Sequence, residues 1–224
     1  MNLRSGPFIP VALIFDMDGV LVDSMPSHIA VLSEVFGRKG WSLDSRIVYE
    51  MEGAKTIDII RRLLGEQGLD SGSLELEETL AAYRKGFEAR EHFPPFAELA
   101  AVLPGLKKHF ALAVVSGAEG SIVHSTVHSL FPGIFDIIVS GDDVNAAKPS
   151  PEPFLKAAKL LGVNREACLV VENAIWGVEA ARRAGMRCVA VSTYVDPSLL
   201  EDADMVFKDH GKLVDFLLSL VQDS

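Results

Sequence analysis

Residues 11–24 read VALIFDMDGVLVDS: an unbroken apolar run ends on Asp16, and Asp18 and Gly19 follow at once. Residues 11–15 are too short a run for a buried helix and rich in β-branched and aromatic side chains, so they read as a strand covered on both faces, the habit of parallel sheets. Acids that leave the carboxyl end of such a strand stand where open α/β sheets place ligands. Side chains two apart in extended backbone face the same side, so Asp16 and Asp18 are placed to share a hard cation and a phosphate. A lone Asp-x-Asp is also common in surface turns, and the pair gains meaning only from what surrounds it.

Outward from this stretch the same kind of run recurs at residues 112–115, 137–139, 169–171, 188–191 and 205–207. Helical patterns at 151–161 and 177–184 lie between the later runs, so strand and helix alternate as a Rossmann-like parallel α/β sheet with right-handed crossovers requires. Ser150 is read as the cap of the first of these helices with Pro151 in its first turn, and Gly162 and Gly185 as stops. Ala180, Ala181 and Ala184 give the second a small face for close packing.

Residues 24–96 break the alternation. They carry helical spacing instead, at Ile57, Ile60 and Leu64 and then at Leu76, Leu80, Tyr83 and Phe87. The reading is a Rossmann-like core of residues 1–23 and 97–224 with an all-helical cap, 24–96, inserted between turns at 23–26 and 93–95, where prolines disfavour helix. The pattern Leu213, Phe216, Leu217, Leu220 predicts a terminal amphipathic helix.

The chain has 224 residues, 49% hydrophobic and 23% charged, which suits one globular domain with a modest insertion. A formal charge of −10 repels phosphate backbones and anionic membrane surfaces, so neither nucleic acid nor membrane is expected as a partner. No apolar window approaches the ~18 residues of a membrane helix. Cys168 and Cys188 both lie in or beside apolar runs and are expected as buried free thiols, which fits a reducing, cytoplasmic setting. A monomer or weak dimer is the expected state.

The stretch FDMDGVLVDS at 15–24 resembles the first motif of the haloacid dehalogenase superfamily, and three more follow in that family's order: Ser116 in VVSG (114–117), Lys148 opening KPSPEPF (148–154), and Glu172-Asn173 in VVENAIWGVEAARRAGM (170–186). The resemblance spans nearly the whole chain. The position of the insert resembles the subgroup with a small helical cap, the β-phosphoglucomutase-like phosphatases and mutases. It implies that Asp16 attacks phosphorus to form an aspartyl phosphate, and that Asp18 protonates the leaving group and later takes a proton from water. Ser116, Gly117 and Lys148 would hold the phosphoryl group. Asp16, the Asp18 carbonyl, Glu172 and Asn173 would hold Mg²⁺. Taken singly, Ser116 also reads as a helix-capping serine, Lys148 as a turn residue, Asp23 as a loop tie, and Glu172 as the partner of a neighbouring cation.

One departure stands out: the family often has Glu-Asp where this chain has Glu172-Asn173, so the metal site loses a formal charge. Within the cap, His28 occupies the place of a hinge histidine in the mutase subgroup, and MEGAKT (51–56) resembles its specificity loop. His28, Glu52 and Lys55 are therefore candidate substrate-side residues, each equally readable as a surface polar group. Thr56 stands where that subgroup has an arginine for a second phosphate. The expectation is a phosphohydrolase of a small phosphorylated metabolite such as a sugar phosphate or pyrophosphate. A sugar phosphomutase and a catalytically silent binding module are the alternatives. Asp18 argues against the dehalogenases and phosphonoacetaldehyde hydrolases of the superfamily, which lack that acid.

Overall fold

The computed structural model describes residues 2–3, 6–69, 74–90 and 93–222. A short antiparallel pair, β1 (Asn2–Leu3) with β2 (Gly6–Pro7), precedes the main sheet. That sheet comprises β3 (Ala12–Asp16), β4 (Ala111–Val115), β5 (Ile137–Val139), β6 (Cys168–Glu172), β7 (Arg187–Val191) and β8 (Met205–Phe207). All pairs are parallel, in the order β5-β4-β3-β6-β7-β8. Each apolar run has become a strand. The first starts at Ala12, where pairing with Ala111 begins, and Val11 stands 54% exposed.

The order reverses direction at β3, whose two neighbours are β4 and β6. Register carries this to the side chains: Asp16 pairs with Val115 of β4, and Phe15 with Val171 of β6, which brings Asp16 level with Glu172 and one step from Ser116. The sheet therefore gathers the chemistry-bearing residues at the carboxyl ends of three adjacent strands, at the topological switch point.

Between β3 and β4 run α1 (Met25–Arg38), α2 (Ser45–Glu50), α3 (Thr56–Glu66) and α4 (Leu74–Glu88), then α5 (Ala97–Leu106). Ile60 and Leu64 of α3 and Leu76, Leu80, Tyr83 and Phe87 of α4 are buried, as their spacing requires. The later helices are α6 (Gly120–Leu130), α7 (Glu152–Leu161), α8 (Ile175–Ala184) and α9 (His210–Gln222). Gly162 and Gly185 end α7 and α8 in the left-handed conformation. Pro151 takes the cap position of α7, and Ser150, one residue earlier, accepts from the Glu152 amide at 3.3 Å.

One sheet face, with Ala12, Ile14, Val115 and Val170, packs on Phe154, Ala157 and Ala158 of α7 and on Ala180, Ala181 and Ala184 of α8. The other, with Leu13, Phe15, Val114 and Val171, meets α5, α6 and α9, including Leu213, Phe216, Leu217 and Leu220. That second cluster continues through Met17, Val20, Leu21 and Val22 into α1, α3 and α4. Cys168 and Cys188 are free and buried. Among the described residues no helix is long and apolar enough to cross a membrane.

Phe154 is fully enclosed between α7 and the sheet. Phe154→Ala is expected to cost about 3–5 kcal/mol, read as a lower urea midpoint at unchanged m-value.

Candidate active site

Lys148 enters from the loop before α7 and is almost wholly buried. Its Nζ donates to Asp16 Oδ1 at 2.5 Å and to Glu172 Oε1 at 2.6 Å, and lies 3.4 Å from the Val115 carbonyl. Burial alone would push its pKa down, but Asp16 and then Glu172 outweigh burial and keep it an ammonium. Asp16 is moved well above the usual carboxylate range, chiefly by burial; Lys148 opposes this, and Glu172 and Asp18 add to it. One ammonium faces two carboxylates with a third nearby, so the cluster carries surplus negative charge.

Glu172 is engaged on both oxygens. Oε1 takes Lys148, and Oε2 accepts the amides of Asn173 and Ala174 at 2.8 and 3.0 Å, where α8 begins. A Cβ on Gly177 would sit 1.7 Å from Glu172 Oε1, so α8 approaches this closely only with glycine there. Glu172 thus fixes the lysine and a helix N-terminus with three accepted bonds, and Oε1 keeps an acceptor site beyond the one that Lys148 takes.

Asp18 lies in a tight loop after β3, in which Gly19 has φ +79°. Ser24 Oγ donates to Asp18 Oδ1 at 2.5 Å, Ser116 Oγ to Oδ2 at 3.2 Å, and His28 Nε2 approaches Oδ1 at 3.4 Å. Burial pushes Asp18 up, but the hydrogen bonds from His28, Ser24 and Ser116 and the His28 charge bring it below its ordinary value. His28 Nδ1 faces the Tyr83 hydroxyl at 2.5 Å and the ring stacks on Phe87 at 4.2 Å. A carboxylate only accepts, so Nε2 carries a proton toward Asp18, and Nδ1 shares a hydrogen bond with the Tyr83 hydroxyl. Neither Ser24 nor Tyr83 was foreseen. Ser24 closes the quoted motif and could have been found there, whereas Tyr83 reads in the sequence only as one of an apolar helical face.

The loop of residues 51–55 lies directly on this cluster. Glu52, 3% exposed, accepts from Asn173 Nδ2 at 2.8 Å. Burial first, with the neighbouring acids behind it, pushes Glu52 well above the usual carboxylate range. A Cβ on Gly117 would lie 2.4 Å from the Gly53 carbonyl oxygen and 2.5 Å from that of Ala54. Lys55 donates to the Val144 carbonyl at 2.8 Å. The lysine expected beside substrate is thus spent on the backbone of the facing loop. Further contacts join Arg84 to Glu119 at 2.6 Å and Tyr49 to Tyr194 at 5.5 Å between ring centres. Tyr194 donates to Asp23 at 2.5 Å, in keeping with Asp23 as a loop tie.

Two buried oxygens, Asn173 Oδ1 and Glu52 Oε2, have no hydrogen-bond partner. Orphaned oxygens beside surplus negative charge fit a hard divalent cation. Among the described residues no three His, Cys, Asp or Glu side chains converge as a ligand group. The available donors are instead mixed: the Asp16 and Glu172 carboxylates, the Asn173 amide oxygen and backbone carbonyl, a set suited to Mg²⁺, which binds few protein groups.

The family model "Haloacid dehalogenase-like hydrolase" matches residues 13–191. The chain belongs to that family. It is 34% identical over 182 residues to the fructose-1-phosphate phosphatase YqaB of Escherichia coli (strain K12), covering 80% of this chain and 95% of that protein. It is 29% identical over 219 residues to a phosphoglycolate phosphatase of Aquifex aeolicus (strain VF5), covering 91% and 99%. Among solved structures, a putative beta-phosphoglucomutase from Bacteroides vulgatus superimposes with a TM-score of 0.86 at 30% identity, over 98% of this chain and 92% of that one. As a haloacid dehalogenase-like hydrolase, the chain is an enzyme with a β-phosphoglucomutase-like fold.

Two variants test the geometry. Gly117→Ala must push the Gly53–Ala54 backbone away, so turnover is expected to fall at least tenfold with little change in melting temperature. Lys148→Met leaves Asp16 and Glu172 buried without their cation and is expected to cost about 3–5 kcal/mol near pH 8. Asp16, already raised by burial, then has a folded pKa further above its unfolded one, so stability is fullest below the unfolded pKa of about 4 and is lost as pH rises. Urea midpoints of the variant should therefore recover toward wild type between pH 8 and pH 5.

Proposed function

We propose that the chain is a Mg²⁺-dependent phosphohydrolase of small phosphorylated metabolites, with sugar phosphates the leading class. The observation that carries this reading is the pair of differently treated acids: Asp16 gripped by buried Lys148, and Asp18, two residues on, held by Ser24, Ser116 and His28. Two carboxyls kept in distinct environments are what separate nucleophilic and acid–base roles require.

Asp16 attacks phosphorus; its oxygen–phosphorus bond forms as the bond to the ester oxygen breaks, and Asp18 gives that oxygen its proton. Water then attacks the aspartyl phosphate, Asp18 takes the water proton, and Asp16 is released with inorganic phosphate. Lys148 neutralises phosphoryl charge, while the Ser116 hydroxyl and the Gly117 backbone cradle the equatorial oxygens. In the resting arrangement three donors keep Asp18 ionised. A phosphate dianion that draws Ser116 to itself removes one donor and adds repulsion, and both effects raise Asp18 toward the protonated form. Asp16, the Asp18 carbonyl, Glu172 and Asn173 would hold Mg²⁺, which would supply neutralisation of phosphoryl charge.

Hydrolysis is favoured over mutase chemistry by where the cap cations go. A mutase must grip a second phosphate, yet Lys55 is bound to the Val144 carbonyl and Arg84 to Glu119, and Thr56 is neutral. The phosphatase relatives from Escherichia coli and Aquifex aeolicus carry names that fit the same class.

Purified protein should release inorganic phosphate from a panel of fructose 1-phosphate, phosphoglycolate, other hexose phosphates and pyrophosphate only with Mg²⁺. Asp16→Asn should lower release at least about 10³-fold. Conversion of β-glucose 1-phosphate with a bisphosphate activator and no phosphate release would instead establish a mutase.

A further inference from the structure

The loop that carries Asp18 is turned so tightly that its own backbone closes it. Met17 O accepts from the amides of Leu21 and Val22 at 2.9 and 3.1 Å, and the Gly19 amide donates to Val22 O at 2.8 Å. The carbonyls of Gly19 and Val20 are met by side chains from distant parts of the core. Thr193 Oγ1, after β7, donates to Gly19 O at 2.7 Å. His210, the first residue of α9 and 8% exposed, reaches Val20 O with Nε2 at 3.1 Å. The His210 ring lies flat on Phe96, with centroids 3.7 Å apart and planes at 13°. Phe96 is tied to the same loop, its amide donating to Leu21 O at 3.0 Å, and the neighbouring Pro94 carbonyl accepts from Asp23.

We infer that His210 and Thr193 are positioning residues: by holding the Val20 and Gly19 carbonyls they fix the loop that aims Asp18 at the leaving-group oxygen. A carbonyl only accepts, so His210 presents Nε2–H. Burial keeps the imidazole below its ordinary pKa and neutral, against the pull of the Val20 carbonyl, Glu98 and Asp209. Neither side chain touches Asp18; each acts through the backbone two residues or fewer away from it. The stack on Phe96 adds a link to the chain segment that returns from the helical insert, so one imidazole braces both the Asp18 loop and the return crossing.

This inference rests on the proposed role of Asp18 as the acid, and the leaving group separates it from a general structural role. An alkyl phosphate needs its departing oxygen protonated; p-nitrophenyl phosphate releases a stable phenolate and does not. His210→Phe keeps a ring on Phe96 but removes the donor. It is expected to lower kcat/KM for fructose 1-phosphate about 10–100-fold and kcat/KM for p-nitrophenyl phosphate, which reports only the steps through phenolate loss, by less than about threefold. His210→Gln, which restores a donor, should regain most of the difference. Thr193→Val should repeat the selective loss and Thr193→Ser should reverse it. Hydrogen exchange in residues 17–22 should quicken in His210→Phe while exchange in the sheet strands stays unchanged. Equal losses of kcat/KM on both esters, or no loss, would overturn the inference. If wild-type protein released phosphate from neither ester, the proposed function would fall; unchanged exchange in 17–22 would then still overturn the clamp itself.

Discussion

Lys148 brings a full positive charge into a place that water does not reach, and an isolated charge there would cost several kcal/mol. It is tolerated because Asp16 and Glu172 arrive at the same point, and they arrive together because β3 and β6 are adjacent parallel strands in fixed register. Glu172 in turn is held by the first amides of α8, and α8 approaches closely enough because residue 177 has no side chain. Sheet register, helix docking and the charge on the lysine thus depend on one another. Remove the lysine and two carboxylates are left without a counter-charge at the centre of the molecule.

Asp18 is placed by a different kind of constraint. Its loop leaves the sheet, and the side chains of Val20, Leu21 and Val22 enter the apolar cluster shared by the sheet and helices α1, α3 and α4. Apolar burial therefore fixes one side of the loop, and hydrogen bonds from Thr193 and His210 fix the carbonyl side. Tyr83 reaches Asp18 from α4 through His28. Asp16 is held by charge within the core, whereas Asp18 is held by contacts from both the core and the helical insert. Movement of the insert would disturb Asp18 before it disturbed Asp16.

The six strands were legible because each is a short apolar run bounded by polar residues or glycine, and burial on both faces leaves that trace in sequence. Asp16, Asp18 and Ser116 were legible as neighbours because strand ends in a parallel sheet meet, whereas Lys148, in the loop before α7, was legible only through the family resemblance. What sequence could not supply was the choice among partners. Glu172 was open between metal and cation, and only the structure shows that Lys148, 24 residues away in the chain, is one of its partners. Lys55 was read as a substrate-side charge, yet its target is a backbone carbonyl 89 residues on. His210 and Tyr83 contribute through pairs separated by 190 and 55 residues, and neither separation leaves a periodicity to read.

Asn173 shows how a single departure from a family pattern becomes intelligible in three dimensions. Its amide nitrogen donates to Glu52 at 2.8 Å in a buried site where water does not screen charge. An aspartate there would set a second carboxylate against the first, and two like charges at that distance cannot both stay ionised. The neutral amide instead supplies a donor to the carboxyl from the 51–55 loop while keeping its own oxygen unpaired. The carboxyl group that Asn removes from the strand end has its counterpart in an acid carried on the loop that covers it. Charge at the site is therefore tied to the seating of that loop, and Gly53 and Gly117 permit the seating because their backbones meet with no side chain between them.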